Sequence, residues 1–167
     1  MGIATPRTCV TNSVADAKNF ISTVGRAIAK PLAASYMTYG DRSLKFYTRE
    51  VDLQSNDIFH TLSLSPMIFQ ERVDKTEEVR VTVVDEWAAA VKINLLALNA
   101  DVPVDTRQLD YMKYRSHFQR CPEYPNLLVD SMRMVRELGL SYGGVDWAID
   151  KTGNARFLEC NPLGSFK

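Results

Sequence analysis

The sequence predicts an α+β fold of two lobes, each an antiparallel sheet with packed helices, and three observations carry that prediction. Val79–Val84 and Trp87–Ile93 alternate around Asp85-Glu86 as one hairpin, and Ser141–Asp150 with the stretch after Asn154 flanks a Thr152-Gly153 turn as a second. Helical spacing recurs at Val14, Ala17, Ile21 and Val24, and again at Leu128, Met132, Val135 and Leu138. The composition shifts at Asp74 to Thr76, which places the lobes at 1–74 and 75–167.

In chain order, Pro6–Thr11 reads as a short strand. Asn12 or Ser13 then caps a helix that Gly25 closes, and Asp16 favours its N-terminal dipole. Ala27–Lys30 is a strand stopped by Pro31. Leu32–Arg42 reads as a loose segment with one glycine, Leu44–Arg49 as a strand, Asp52–Leu62 as a short helix or helical turn, and Pro66–Gln70 as a buried strand. Asn94–Tyr124 is polar and punctuated by proline, so a long loop with a strand around Arg107 is expected, of the kind that is usually functional. Asn126–Leu138 is a helix with Gly139 at its C-terminal cap.

Length and charge limit what the chain can be. Its 167 residues suffice for one sizeable domain or two small ones sharing a core, and 46% hydrophobic residues is ordinary for a globular protein. Twenty basic side chains balance twenty acidic ones, which argues against a nucleic-acid or anionic-membrane partner. Cys9, Cys121 and Cys160 are far apart and form no C-x-x-C pair, so neither a zinc site nor a disulfide framework is expected, and the simplest setting is a reduced cytoplasm. No run reaches the length of a membrane span, and Pro6 stands where a myristoylation motif needs Ser or Thr.

The C-terminal hairpin carries the chemistry. If Lys151 pairs with Asn154, the ladder sets Asp150 opposite Ala155 and Asp146 opposite Glu159, and strand alternation puts Asn161 on the same face. Directly opposed residues have Cβ atoms roughly 4.5–5.5 Å apart, where like charges repel, so a positive group between them is expected. Two carboxylates and an amide oxygen make an all-oxygen site that suits Mg²⁺ better than zinc. Acids on the wet side of a solvent-facing hairpin would give the same pattern. Cys160 alternates with these residues and should point into the core.

Two further places stand out. Lys30 ends an apolar strand, where a charged head either reaches water or meets a fixed anion. Glu71-Arg72-Val73 follows a strand exit, and Glu78 lies on the strand beyond it. Backbone groups at Glu71 and Val73 could meet a flat heteroaromatic while Glu78 accepts from ribose hydroxyls, although a surface turn with solvated charges fits this segment equally.

Taken in order, Ala-Lys30-Pro-Leu, Phe-Gln-Glu71-Arg-Val, Glu78-Val-Arg80-Val-Thr-Val-Val, Asp105-Thr-Arg107, Leu-Ser-Tyr-Gly-Gly-Val-Asp146-Trp and Phe-Leu-Glu159-Cys-Asn161-Pro-Leu-Gly resemble the ATP-grasp family. The likeness covers essentially the whole chain. It is strongest to the ribosomal peptide maturases of the microviridin type, whose Pro-x-Thr-x-x-Thr entry is similar to Pro6–Thr11, and extends to the ribosomal-protein glutamate ligases. The resemblance implies two lobes clasping Mg-ATP. It places Lys30 on the α/β-phosphates, Glu71, Arg72 and Val73 at the adenine hinge, Glu78 on ribose, and Asp146, Glu159 and Asn161 on one or two Mg²⁺. Arg80 and Arg107 would lie over the γ-phosphate and the developing acyl phosphate. The implied reaction is ligation through an acyl phosphate, with a ribosomally made precursor peptide as substrate and an ester or amide cross-link as product. An amino-acid or glutamate ligase of the same fold, and a non-catalytic nucleotide-binding or peptide-docking module, are the alternatives. A homodimer is left open.

Three departures qualify the likeness. The family's N-terminal domain and a further ATP-binding lysine precede the first strand seen here. The segment after Lys30 holds only Gly40, so a glycine-rich phosphate lid is not evident. Family members also continue beyond the equivalent of Gly164, so a fragment, with weak ATP binding and little turnover by itself, is the expectation.

Overall fold

Among the described residues all the strand pairings are antiparallel. The structure is a computed structural model that describes residues 2–32, 36–98 and 102–163. The chain divides into two units, one of Pro6–Arg72 with Val102–Leu109, the other of Met1–Thr5, Val73–Asp101 and Asp110–Lys167. Val102–Leu109, with Arg107, thus clusters with residues that precede it by some fifty positions.

The first unit contains β1 (Thr8–Thr11), α1 (Val14–Val24), β2 (Ala27–Pro31), β3 (Tyr36–Tyr39), β4 (Arg42–Lys45), β5 (Arg49–Val51), α2 (Asn56–Thr61) and β6 (Met67–Glu71). Its sheet runs β1-β6-β2-β5. Of the two candidate caps, Ser13 closes the N-terminus of α1, its side chain accepting from the Asp16 N–H at 3.3 Å. Gly25, at φ 80°, donates to the Ile21 carbonyl and ends the helix. Ala17 and Ile21 of α1, Ile58 and Phe59 of α2 and Ala27, Ala29 and Phe69 of the sheet form the core. The small alanines of β2 let the helices lie close to the strands.

Of the loose segment expected over Leu32–Arg42, 33–35 lie outside the described residues and 36–42 is corrected: β3 and β4 pair as a hairpin across Gly40-Asp41. Gly40 has φ 57°, the conformation that a two-residue hairpin loop requires at its first position. The expected strand over Leu44–Arg49 is accordingly split between β4 and β5.

The second unit contains β7 (Lys75–Val84), β8 (Trp87–Asn94), α3 (Tyr111–Tyr114), β9 (Phe118–Arg120), α4 (Pro125–Glu137), β10 (Tyr142–Asp150) and β11 (Ala155–Asn161), with sheet order β11-β10-β7-β8-β9. Helix α4 covers the face that carries Val79, Val81, Val83, Val145, Trp147 and Ile149. The helix buries Leu127, Ser131, Met134 and Val135 at the centre of its contact, so the stripe is rotated from the one expected, and Leu138 is exposed. Ser131 is there because the buried Trp147 indole N–H needs an acceptor, and its hydroxyl supplies one at 3.0 Å. A Schellman motif ends the helix, Gly139 N–H donating to Arg136 and Leu140 N–H to Val135. The strand expected around Arg107 is instead a single 3₁₀ turn, Thr106–Gln108, because the Asp105 carboxylate accepts from the Arg107 N–H and caps it. The described residues of Asn94–Tyr124 form more than a plain loop, with 3₁₀ turns at Leu96–Leu98 and Arg115–His117 besides α3 and β9. Gly164, the last residue of the Asn161-Pro-Leu-Gly motif, lies outside the described residues.

Candidate functional site

Opposite the helix-covered face of the second unit, β7, β10 and β11 assemble a cluster of charge. Asp146 of β10 pairs with Arg80 of β7 on one side and with Glu159 of β11 on the other, Ala148 pairs with Glu78, and Gly144 with Asn161. Alternation along each strand then brings Glu78, Arg80, Asp146, Glu159 and Asn161 to one face.

That arrangement depends on two irregularities that offset each other. The β10–β11 turn is not the two-residue loop expected. Asp150 N–H donates to the Asn154 carbonyl, leaving a three-residue loop in which Gly153 has φ 82°. Ile149, not Asp150, therefore lies opposite Ala155. The Asp150 carboxylate stabilises this longer loop by accepting from the N–H groups of Thr152 and Asn154. Further along, the register shifts between Trp147↔Phe157 and Asp146↔Glu159, so Leu158 is a bulged residue without a partner. The bulge lets Phe157 meet the Trp147 ring edge-on at 5.8 Å and Cys160 pack on the same core, while Glu159 and Asn161 face the other way. Strict alternation could not put Phe157 and Cys160 on one face.

Asp146 accepts two hydrogen bonds from the Arg80 guanidinium, Nε to Oδ1 and Nη2 to Oδ2, both at 2.8 Å. Even so, burial pushes the Asp146 carboxyl up to about 6, against the pull of Arg80, and the nearby charges of Glu159 and Glu78 push the same way. Glu159 is exposed and, among the described residues, has no ion-pair partner. Asn161 turns its amide oxygen onto the Leu163 N–H at 3.1 Å. Glu78 is held by Lys75 in a partly buried ion pair. Gly144 borders the cluster, where a Cβ would sit 3.6 Å from Arg80 Nε.

The remaining predicted residues lie elsewhere. Lys30 Nζ donates to the side-chain oxygen of Gln70 at 3.3 Å, and the buried Gln70 passes a hydrogen bond to Thr8 at 2.9 Å. Glu71 accepts from Arg7 Nε at 3.1 Å, and its own N–H donates to the Arg7 carbonyl. Arg72 clasps Glu50. Val73 belongs to the second unit, where its carbonyl accepts from the Lys75 N–H at 2.9 Å. Arg107 is fixed by Asp105 through Nε at 2.8 Å and lies over the Tyr47 ring at 6.0 Å. Burial works against ionisation of Asp105, but Arg107 and the Thr48 N–H outweigh it and hold the carboxyl below its usual range. Lys75, Gln70 and Asp105 are the positioning residues that sequence reasoning did not assign. Asp105 had a visible signal in Asp-Thr-Arg, since a side chain two residues ahead of a turn can cap it.

The donors at the Asp146–Glu159 pair are all oxygens, which fits Mg²⁺. Among the described residues no three His, Cys, Asp or Glu side chains converge as a metal cluster. An ion here would therefore use two carboxylates and the Asn161 amide, and draw its other ligands from outside the chain, as Mg²⁺ commonly does.

Neither a family model nor a curated protein sequence matches the chain. Solved structures do. A RiPP-associated ATP-grasp ligase of Chryseobacterium gregarium, in complex with ADP and a leader and core peptide, matches with a TM-score of 0.85 at 23% identity, over 99% of this chain and 49% of that one. The macrocyclase MdnC of Microcystis aeruginosa MRC, bound with precursor peptide MdnA, matches with a TM-score of 0.77 at 25% identity, over 99% and 48%. The ATP-grasp ligase PsnB, complexed with minimal precursor, Mg and ADP, matches with a TM-score of 0.69 at 26% identity, over 99% and 47%. The chain thus spans about half the length of each of these proteins.

Proposed function

We propose, on its likeness to these ATP-grasp ligases, that the chain belongs to the ATP-grasp family and serves an ATP-dependent, ADP-forming ligase that activates carboxylates of a ribosomally made precursor peptide. The observation that carries the reading is the face on which Arg80, Asp146 and Glu159 stand in register on adjacent strands. The neighbours' complexes with ADP, Mg and precursor peptides support the nucleotide, the ion and the substrate class.

In this reading Asp146, Glu159 and Asn161 hold Mg²⁺, which supplies neutralisation of charge on the phosphate oxygens. A substrate carboxylate oxygen attacks the γ-phosphorus, the bond to the β–γ bridging oxygen breaks, and ADP leaves. An amine or hydroxyl then attacks the acyl carbon and phosphate departs, leaving an amide or an ester. Arg80 and Arg107 supply positive charge where it accumulates on the transferring group, and no protein nucleophile is needed. The bidentate grip of Asp105 on Arg107 fixes that guanidinium plane in advance. Lys30 takes the α/β-phosphates from its seat on Gln70, Glu71 to Val73 take adenine, and Glu78, steadied by Lys75, takes ribose.

Among the described residues no helix is long and apolar enough to cross a membrane. Cytoplasmic residence belongs to the same proposal, supported by three free cysteines.

The test is ADP release by the full-length protein, with and without a carboxylate-bearing precursor peptide. Release that depends on the peptide and is lost in Glu159→Gln supports the ligase. Tight ATP binding with no peptide-dependent turnover would replace it with a nucleotide-binding module.

A further inference from the structure

Arg80 and a divalent cation have the same claim on Asp146. Both carboxylate oxygens accept from the guanidinium at 2.8 Å, so neither has its full set of lone pairs left for an ion. The opposing acid is different: Glu159, directly across the β10–β11 ladder, has no ion-pair partner among the described residues. Glu78 adds a third carboxylate on the same face, and its field, with that of Glu159, is felt at Asp146. One guanidinium thus sits against the middle one of three acids. It is the positive group that the carboxylate pair requires, and it is supplied by the protein itself.

We propose that Arg80 holds the cation position on Asp146 before the metal arrives, so that metal binding and release of the guanidinium are a single exchange. The inference rests on the metal assignment proposed above. In the exchange no covalent bond changes: two N–H···O bonds at Asp146 are given up and oxygen–metal contacts replace them. The freed guanidinium is left beside the ion on the same face, directed to anionic ligands that arrive with it. Arg80 is suited to the exchange because its side chain is 42% exposed, so it can leave Asp146 for water or phosphate without crossing the core. Beside it, Gly144 contributes no side chain that would confine the movement. The consequence is an order of events. Arg80 reaches its phosphate position only after the ion has taken Asp146.

The test is Mn²⁺ binding to the full-length protein without nucleotide, followed by electron paramagnetic resonance. Arg80→Gln should bind Mn²⁺ at least ~5-fold more tightly than the wild type, the magnitude of a partly exposed charge pair. Arg80→Lys, which keeps the charge but not the two-pronged grip, should fall between them. Arg156→Gln is the control for simple loss of positive charge, because Arg156 lies opposite Ala148, two pairs along the same ladder. It should change affinity less than twofold. As a second readout, the Arg80 Nε–H resonance of the wild type should shift on addition of Mg²⁺. Equal gains in Arg80→Gln and Arg156→Gln would reduce the effect to the general field and overturn the exchange. Binding that Asp146→Asn and Glu159→Gln weaken but Arg80→Gln leaves unchanged would overturn the exchange while keeping the metal site. If no variant and no wild type binds Mn²⁺ with nucleotide present or absent, the metal assignment itself fails.

Discussion

Asp146 and Glu159 face each other directly across β10 and β11, one register step beyond the bulge at Leu158. Two carboxylates in that relationship repel unless a cation intervenes. Asp146→Asn and Glu159→Gln are each expected to weaken Mg-ATP binding at least ~10-fold, a loss on the scale seen when groups that orient a metal are removed. Isothermal titration of the full-length protein measures it. Unchanged affinity in both variants would remove the ion from this face.

Deleting Leu158 removes the bulge and leaves the strand to alternate without interruption. Either Phe157 leaves Trp147 or Glu159 and Asn161 turn into the core. The deletion should therefore lower stability and abolish Mg²⁺ binding together. Leu158→Ala, which keeps the extra residue, should retain both. Urea denaturation and the same titration distinguish them.

Gly143 and Gly144 are adjacent, yet they should respond differently to alanine. A Cβ at Gly143 would lie 2.6 Å from a methyl of the buried Val135 and 3.2 Å from Cys160 Sγ, whereas one at Gly144 would find nothing nearer than 3.6 Å. Overpacking of a helix–sheet contact costs about 1–3 kcal/mol. Gly143→Ala should show that loss in urea denaturation, with Gly144→Ala well below it. Equal effects would mean that α4 does not press on the sheet at this point.

The Asp105–Arg107 pair makes a prediction about acid. The carboxyl of Asp105 titrates below its usual value in the folded chain, so the unfolded chain binds the proton first as pH falls. The pair's contribution is thus complete above the unfolded value, near 3.8, and is lost as pH drops through the lower folded one. Asp105→Asn should be less stable than the wild type at pH 7, and the difference should shrink toward pH 3. Denaturation midpoints across that range check the sign. Arg107→Ala should also destabilise, by about 1–3 kcal/mol, because it leaves a buried carboxylate with only the backbone N–H groups of Thr48 and residue 107.

How much was legible follows from where local rules suffice. Ser13 acts through its own side chain and Gly25 and Gly139 through their backbone geometry, so the ends of α1 and the C-terminus of α4 could be read directly, whereas β2 runs one residue past the stop expected at Lys30 and includes Pro31. The Asp146–Glu159 pairing was also reached, although through a turn that is one residue longer than expected and a bulge that restores the register. Neither irregularity has a signature in single letters. A bulge is chosen by what the two faces must bury, and that is a property of the assembled sheet. The turn at Arg107, expected as a strand, escaped for a related reason: the residue is held by Asp105, which also accepts from the Thr48 N–H more than fifty residues earlier in the chain. The β3–β4 hairpin was missed because Tyr-Met-Thr-Tyr has no apolar alternation to announce it. With the described side chains of both strands on the outside, there is no core for such a pattern to record.

That ribbon has a practical consequence. Among the described residues its ladder joins only β3 to β4, Met37 and Leu44 lie about half exposed, and an isolated pair of strands is barely stable by itself. Trypsin should therefore cut native protein first at Arg42 or Lys45, well before it reaches the basic residues of β7 or α4, and the nicked halves should stay associated through β2, β5 and β6. Mass spectrometry of a brief digest would identify the cleavage site, and a ligand that engages the ribbon would be recognised by the protection it gives.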